Sequence, residues 1–444
     1  MKTSILFIAP SAYCLGGVQV WLNQLVQGMR QSSRWRVRVG LPAGRHHDLE
    51  RYLATFPETP AVPLVNPTGS AEGRRRAICE LLLQERPDLV VGVNIADLYP
   101  AARRARQRGF TGRVLFSLHG LAADLLADIG AEADLLEGVI ATNKLSCRLV
   151  EEETDVPHER ICYAPYGVAI SPEHGQRGES FNPLVTTSNP LRIVWVGRLE
   201  QEQKRVHDLP SILNHLDALN LPYQLTVAGD GPEKEAISQA LLPWIEAGRV
   251  RMAGAVSGQE MQELIYPNHH VLLITSRWET GPIVAWEAMA AGLAVVSSAY
   301  IGSGSEGALV DGRNCLLFAI GDGEAAARAL QRVADPPLRE AIIRQGWALV
   351  QERYTQAASL QAWEEAFAHI LTMPLRAAAR AEPPLPPAGR LDRWLGPSLA
   401  DKLRRRAGFS FPHQSPGGEW PHTAHGKIRE DAILERAGEI DAAA

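Results

Sequence analysis

Apolar residues along this chain fall into two spacings that alternate. Short runs at 5–9, 37–41, 89–93, 114–118 and 139–141 are apolar but for Arg38 and Ser117, and together rich in β-branched residues. Runs that are apolar almost throughout, rather than at every second position, predict strands buried on both faces. Between them, 18–29, 74–84 and 101–107 repeat apolar residues every three or four positions, which predicts helices. Strands and helices in alternation imply a parallel sheet covered on both sides. The pattern lapses at 178–190, a stretch of Ser, Thr, Asn and Pro, and then restarts with strands at 192–196, 224–228, 250–253, 271–275 and 294–298. Helices at 337–353 and 357–371 close the series. Past Met373 the chain turns to Pro, Ala and Arg, with one short basic helix predicted near 393–406. The fold class is therefore α/β: two Rossmann-like, doubly wound domains at 1–177 and 191–373, a linker at 178–190, and a Pro-rich tail at 374–444, partly without order of its own. Two such domains are expected to face each other across a cleft.

Bulk properties narrow the class. A chain of 444 residues is too long for one core. Its 45% hydrophobic and 21% charged residues are those of a globular enzyme. A formal net charge of -5 gives no global attraction to nucleic acid. The five cysteines lack a Cys-x-x-Cys pair, so neither a zinc ribbon nor a disulfide framework is indicated and a reducing cytoplasm is expected. The apolar start reads as a first buried strand rather than a secretory leader, and no run approaches the roughly 18–20 apolar residues that cross a bilayer.

In open parallel sheets, ligands sit at the carboxyl ends of the strands, so the chemistry belongs in strand-to-helix turns. The richest turn starts at Ser276-Arg277-Trp278-Glu279-Thr280-Gly281-Pro282-Ile283-Val284, after a buried strand. Gly281 and Pro282 suit a helix opening, where free amides at Ile283 and Val284 favour an anion such as a diphosphate. Glu279 precedes the helix and Glu287 lies about two turns inside it, so the carboxylates are separated along the axis. A second turn, Val196-Gly197-Arg198 through Lys204-Arg205, offers a forked guanidinium and a point charge for a leaving group that gains charge. In the first domain, Gly16-Gly17 follows the first strand and His119-Gly120 ends another.

Glu279 and Glu287 with Gly-Pro-Ile-Val and Glu-Ala-Met-Ala around them resemble the signature of glycosyltransferase family 4. The chain departs from the family's Glu-Gly-Phe-Pro by reading Glu279-Thr280-Gly281-Pro282, and from its Lys-Gly by reading Lys204-Arg205. Ala228-Gly229-Asp230-Gly231-Pro232 and Tyr166-Gly167-Val168 match further landmarks. The loop from Gly302 to Glu306, where the family reads Gly-Gly, is expected to be flexible. The resemblance covers residues 4–371 and implies the GT-B fold and retaining transfer from a nucleotide sugar. It implies catalytic roles for Arg198, Lys204, Glu279 and His119. Donor binding falls to Gly16, Gly17, Gly281, Pro282, Ile283, Val284 and Glu287, with Glu279 on the sugar and Glu287 on the ribose. No cofactor and no metal are implied, and the histidine pairs His46-His47 and His269-His270 and the tail histidines give no ligand framework.

Two other classes compete. A dehydrogenase needs Gly-x-Gly-x-x-Gly after the first strand, which Gly16-Gly17 does not supply. A catalytically silent scaffold that binds a sugar nucleotide would have no need to keep Arg198, Lys204, Glu279 and Glu287 together. The expected acceptor is a saccharide or lipid-linked sugar in polysaccharide or glycolipid synthesis. Basic groups at 74–76 and 103–108 and in the tail at 402–406 suggest peripheral contact with the inner face of the cell membrane.

Overall fold

A computed structural model of the chain describes residues 2–11, 17–43, 49–170, 185–376, 380–411, 420, 422–425 and 430–444. Two compact units result: residues 1–142, 146–164 and 360–433 form the first, and 143–145, 165–359 and 434–444 the second.

The first unit is built on seven parallel strands: β1 (Thr3–Ile8), β2 (Trp35–Ala43), β3 (Ala61–Val65), β4 (Leu89–Val93), β5 (Arg113–Leu118), β6 (Gly138–Ala141) and β7 (Ile161–Tyr163). Their order is β3-β2-β1-β4-β5-β6-β7. In the second unit β8 (Leu191–Val196), β9 (Tyr223–Ala228), β10 (Val250–Gly254), β11 (Val271–Ile274), β12 (Ala294–Ser298) and β13 (Leu316–Phe318) run in the order β10-β9-β8-β11-β12-β13. All pairings are parallel. Each sheet grows one way from its first strand and then the other, which places a topological switch point between β1 and β4 and between β8 and β11.

Every predicted strand is present. The three unpredicted ones, β3, β7 and β13, all lie at sheet edges. An edge strand is covered less fully and has no need of a continuous apolar run: only Leu64 of β3 is buried, and Pro63 sits within it.

The last long helix, Gln356–Thr372, leaves the second unit at Leu360 and ends in the first. There Phe367 packs edge-on against Phe7 and Trp35, at 6.2 and 6.1 Å between ring centroids, and the Trp35 indole donates to Glu364 Oε1 at 2.7 Å. The compact units therefore divide the chain earlier than the sequence boundary at 373. The basic helix expected near 393–406 is two helices, Arg390–Leu395 and Pro397–Ala407, because Gly396 turns to φ +76° ahead of Pro397. A further helix, Glu430–Ala442, ends the chain. Part of the linker, 178–184, lies outside the described residues.

The second unit's sheet has a core on each face. One holds Trp195, Leu213, Leu225 and Leu330; the other holds Trp286, Met289, Leu272 and Tyr354. Trp286 stacks on Tyr354 with ring centroids 4.1 Å apart and planes 3° from parallel. This anchors the helix Ile283–Ala290, on which Ala285, Trp286, Ala288 and Met289 are all buried. With Ala290 buried as well, five of the eight residues of this helix are buried, which leaves Glu287 little freedom of position.

Candidate active site

The loops after β8 and β11 emerge at the second unit's switch point and are laced together. Thr275 Oγ1 accepts from the Trp195 indole at 2.9 Å and donates to the Lys204 carbonyl at 2.6 Å. The Arg277 amide donates to Gln203 O at 2.7 Å, and Gln203 Nε2 returns a bond to Trp278 O at 3.2 Å. On the other side of β8, the amide of Leu199 donates to Asp230 O and that of Glu233 to Leu199 O, both at 3.0 Å. The two glycines of the Gly229-Asp230-Gly231-Pro232 landmark permit that approach: a Cβ at Gly229 would stand 1.8 Å from Gly197 O, and one at Gly231 2.4 Å from Leu199 O. Their role is close backbone packing.

This lacing presents Lys204 to Glu279. The ammonium donates to Glu279 Oε1 at 2.6 Å, and Ser276 Oγ donates to the same oxygen at 2.6 Å. Ser276 is held in turn, its carbonyl accepting from Ser298 Oγ at 2.6 Å. The Glu279 backbone is pinned to the turn after β12: its amide donates to Ile301 O at 3.2 Å, and Gly302, at φ +110°, lies so close that a Cβ would stand 2.6 Å from Glu279 O. Glu279 is buried and Lys204 half-buried. A buried carboxylate of this kind persists only where a charge and hydrogen bonds compensate it.

Arg198 stands exposed on the loop after β8. Arg205, where the resembling pattern has glycine, takes the left-handed conformation with φ 51°, and its guanidinium forks onto Asp208 at 2.8 and 2.9 Å. Gly281 sits at φ +94° and Pro282 caps the helix Ile283–Ala290. The glycine thus occurs one place later than in the family pattern, at a residue whose backbone requires it. The first-turn amides of Ile283 and Val284 precede the i−4 ladder and are placed to meet an anion. Inside the helix, Glu287 accepts from the Tyr266 hydroxyl at 3.0 Å. Burial pushes its carboxyl up to about 7, with the tyrosine bond pulling the other way. The two glutamates are held by different partners and do not form a carboxyl pair. Beside them a cavity of about 550 Å³ is lined by Glu200, Glu202, Arg205, His207, Glu233 and Arg277 among others.

In the first unit, Gly17 opens the helix Gly17–Gln31. Gly16 lies outside the described residues. His119 directly follows β5 and is buried, with its ring 4.4 Å from that of Trp21. Its Nε2 is 2.9 Å from Ser117 Oγ. The serine proton is engaged by Gly92 O at 2.9 Å, so Nε2 is assigned as the donor. Burial pushes the imidazole down to about 3. It is a neutral group.

The loop at Gly302 to Glu306 is not the flexible segment expected from its Gly and Ser content. Ser303–Glu306 forms a short helix. Asp441 accepts from the amides of Gly302 at 2.9 Å, Gly304 at 3.2 Å and Ser305 at 2.6 Å. Glu306 accepts from the Lys144 amide, the Tyr354 hydroxyl and Arg353, at 3.1, 2.8 and 3.1 Å. Those bonds give Glu306 a structural role. Sequence reading did not find Ser276, Tyr266 or Asp441 as supports. Ser276 stood in the motif without a distinguishing signal, and the other two are brought in from 21 and more than 130 residues away. His269 bonds Ile265 O and Thr226 Oγ1 inside the second unit. His46, His47 and His413 lie outside the described residues.

Residues 190–335 match the family model described as Glycosyl transferases group 1. No curated relative matches the chain in sequence. Among solved structures, the lipopolysaccharide outer core galactosyltransferase WaaB is similar at TM-score 0.63 and 20% identity, over 82% of this chain and 99% of its own. HepE of Anabaena, solved with UDP and glucose, is similar at 0.67 and 18%, over 83% and 100%. Sucrose-phosphate synthase of Thermosynechococcus elongatus gives 0.65 and 18%, over 83% and 100%. At these identities the likeness shows the fold, which is GT-B.

Proposed function

We propose that this chain, whose residues 190–335 match the model of the glycosyl transferases group 1 family, is a glycosyltransferase that moves a sugar from a nucleoside diphosphate sugar to a saccharide or lipid-linked saccharide with retention at the anomeric carbon. The expected setting is the cytoplasmic face of the cell membrane, in cell-surface polysaccharide or glycolipid synthesis. The observation that carries the reading is the Lys204–Glu279–Ser276 cluster at the second unit's switch point, with Glu287 on the following helix.

Each part has a chemical task. Glu279 accepts sugar hydroxyls, and Lys204 holds its charge in place until a diphosphate offers the ammonium a second partner. Glu287, half-buried beside the Tyr266 hydroxyl, accepts from a ribose diol. As the bond from C1 to the diphosphate oxygen breaks, negative charge grows on the leaving group. Lys204, Arg198 and the amides at Ile283 and Val284 stabilise it, a single well-placed donor being worth about 3–4 kcal/mol in such a site. The acceptor oxygen forms its bond to C1 on the same face, and its proton passes to the departing phosphate oxygen. A double displacement needs a second carboxyl about 5 Å across the sugar from the first. Glu279 is instead bound to Lys204 and Ser276, and Glu287 to Tyr266, which supports the same-face route. The charge neutralisation available from side chains and amides supports transfer without a divalent metal.

HepE was solved with UDP and glucose, so a uridine diphosphate hexose is the first donor to test. A thermal-shift panel of nucleotide sugars, followed by turnover with and without EDTA, checks the proposal. Stabilisation by at least one donor, with EDTA-resistant turnover and a product of retained configuration, is expected. Binding without turnover on any acceptor would favour the silent scaffold.

A further inference from the structure

The helices Arg390–Leu395 and Pro397–Ala407 are folded inside out. A surface helix of a globular protein normally turns apolar residues inward and charges outward. Here the two acids face the protein. Asp401 is buried, accepting from the hydroxyls of Thr68 and Ser70 at 2.5 and 2.6 Å and from Arg76 Nε at 3.1 Å. Asp392 is buried and takes Arg404 Nη1 at 2.6 Å, while the Arg404 guanidinium lies 4.3 Å over the Phe411 ring. Ser398 Oγ donates to Glu72 Oε1 at 2.8 Å.

The outer face carries what a core would normally take. Trp394 is 85% exposed and Phe409 70%, and Leu395, Leu399 and Leu403 are exposed as well. These are five of the ten large apolar side chains exposed among the described residues, gathered within sixteen positions. Leu399 and Leu403 are one helical turn apart on the face opposite Ala400, Asp401 and Arg404. Interspersed with them, Arg390, Arg393, Lys402, Arg405 and Arg406 are exposed, Arg405 with its Nε 3.7 Å from Asp401 Oδ2. From 383 to 411 the only acids are Asp392 and Asp401, both turned inward.

The geometry points to this helix pair as a docking surface for an anionic lipid bilayer. Its composition fits that occupant on three counts. Leucines and a tryptophan enter the headgroup and acyl boundary, where an indole is favoured. The arginine and lysine stems rise alongside to reach phosphates. Inward burial of both acids removes the repulsion that an anionic leaflet would otherwise meet. A second copy of the chain fits poorly, since a two-fold contact sets the patch against itself and brings five cations onto five. Nucleic acid would use the cations and leave the leucines exposed. The surface belongs to the first unit and stands independently of the donor chemistry assigned to the second.

The test is co-sedimentation of the full chain with vesicles of phosphatidylcholine containing roughly one-third phosphatidylglycerol, compared with pure phosphatidylcholine. Binding to the anionic vesicles alone, weakened by high salt, is expected. Leu399→Ser with Leu403→Ser, and separately Lys402→Glu with Arg405→Glu and Arg406→Glu, should each reduce binding by at least about tenfold. Arg328→Glu, a charge reversal on an exposed helix of the second unit, should leave it unchanged. Circular dichroism melts establish that the variants are folded. No vesicle binding by the wild-type chain overturns the proposal, as does equal loss with Arg328→Glu. Concentration-dependent self-association abolished by the leucine variants, without lipid binding, assigns the patch to a second copy and overturns it too. Donor turnover on a soluble acceptor is read in the same variants: its retention keeps a failure here separate from a failure of the transferase reading.

Discussion

The second sheet's switch point and the end of β5 in the first sheet are both carboxyl ends of parallel strands, and they differ in charge. Between β8 and β11 the strand ends present a lysine, a buried glutamate and an arginine, with the backbone laced by side-chain bonds from Thr275 and Gln203. At the end of β5, next to the switch strand β4 of the first sheet, stands a neutral histidine packed on an indole. A doubly wound sheet specifies where a ligand binds, and the loops specify what it is. An anionic donor matches the charged end. The neutral, aromatic end suits a group recognised by hydrogen bonds and ring faces, as sugars are.

The largest expected effect breaks the charged end. Lys204→Ala removes a cation proposed to stabilise the leaving group and leaves the buried Glu279 without its ion partner, so kcat should fall by about 10²–10³. Arg198→Ala, which touches no buried partner, should lower kcat about tenfold or more with little change in donor affinity. Steady-state kinetics of both variants decide the point, and wild-type kcat in Lys204→Ala would remove the charge-neutralising role.

Glu287 comes next and predicts a pH signature. Its carboxyl is raised to about 7 by burial, whereas ribose hydroxyls donate to the charged form. Donor binding must therefore expel a proton below about pH 7, and affinity should fall there, approaching tenfold per unit. For folding the sign is opposite. The native state holds its proton in the window from the ordinary carboxyl value up to about 7, so stability declines as pH rises through that window. Glu287→Gln should flatten this decline, melt higher than wild type at pH 8, and bind donor on the order of ten- to a hundredfold more weakly. Melting curves at pH 6 and 8 with and without donor give both readings. Lower stability at pH 8 would place the residue among structural supports.

The charged site was more legible than its supports. Glu279, Glu287, Arg198 and Lys204 lie in two local motifs beside strands whose unbroken apolar runs announce them. Tyr266 and Asp441 come from distant turns, and nothing in their neighbourhoods marks them out. Both sheets were readable in their centres and at the edge strand β10, and not at the other three edges, where β3, β7 and β13 are short or only partly covered. The tail's described residues make contacts that its composition did not announce. Pro-rich composition predicts little burial, yet Glu382 is held by Arg75 and Arg104, and the Arg380 amide donates to Asp134 at 2.7 Å.

Smaller effects sharpen the neutral end. If His119 is uncharged above pH 5, its role is hydrogen bonding, and His119→Gln should cost no more than about tenfold in kcat/KM. The pH profile should keep its shape. Loss of an ionisation near 6 in the variant would show that the imidazole titrates and that the two strand ends are more alike in charge than the structure indicates.

The smallest effect tests whether the charged end holds one cation more. Arg205 pays roughly 1 kcal/mol for its left-handed backbone, which glycine at this position would relieve. Glycine would also lose the fork onto Asp208, whose buried carboxylate would then lack its guanidinium, a loss of about 1–3 kcal/mol. The loss outweighs the relief, so Arg205→Gly should melt a few degrees below wild type and keep its turnover. Arg205 also lines the cavity beside Glu200 and Arg277. Such melting with turnover reduced about tenfold would mean that the guanidinium exchanges Asp208 for the donor's phosphates, placing a third cation at the charged switch point.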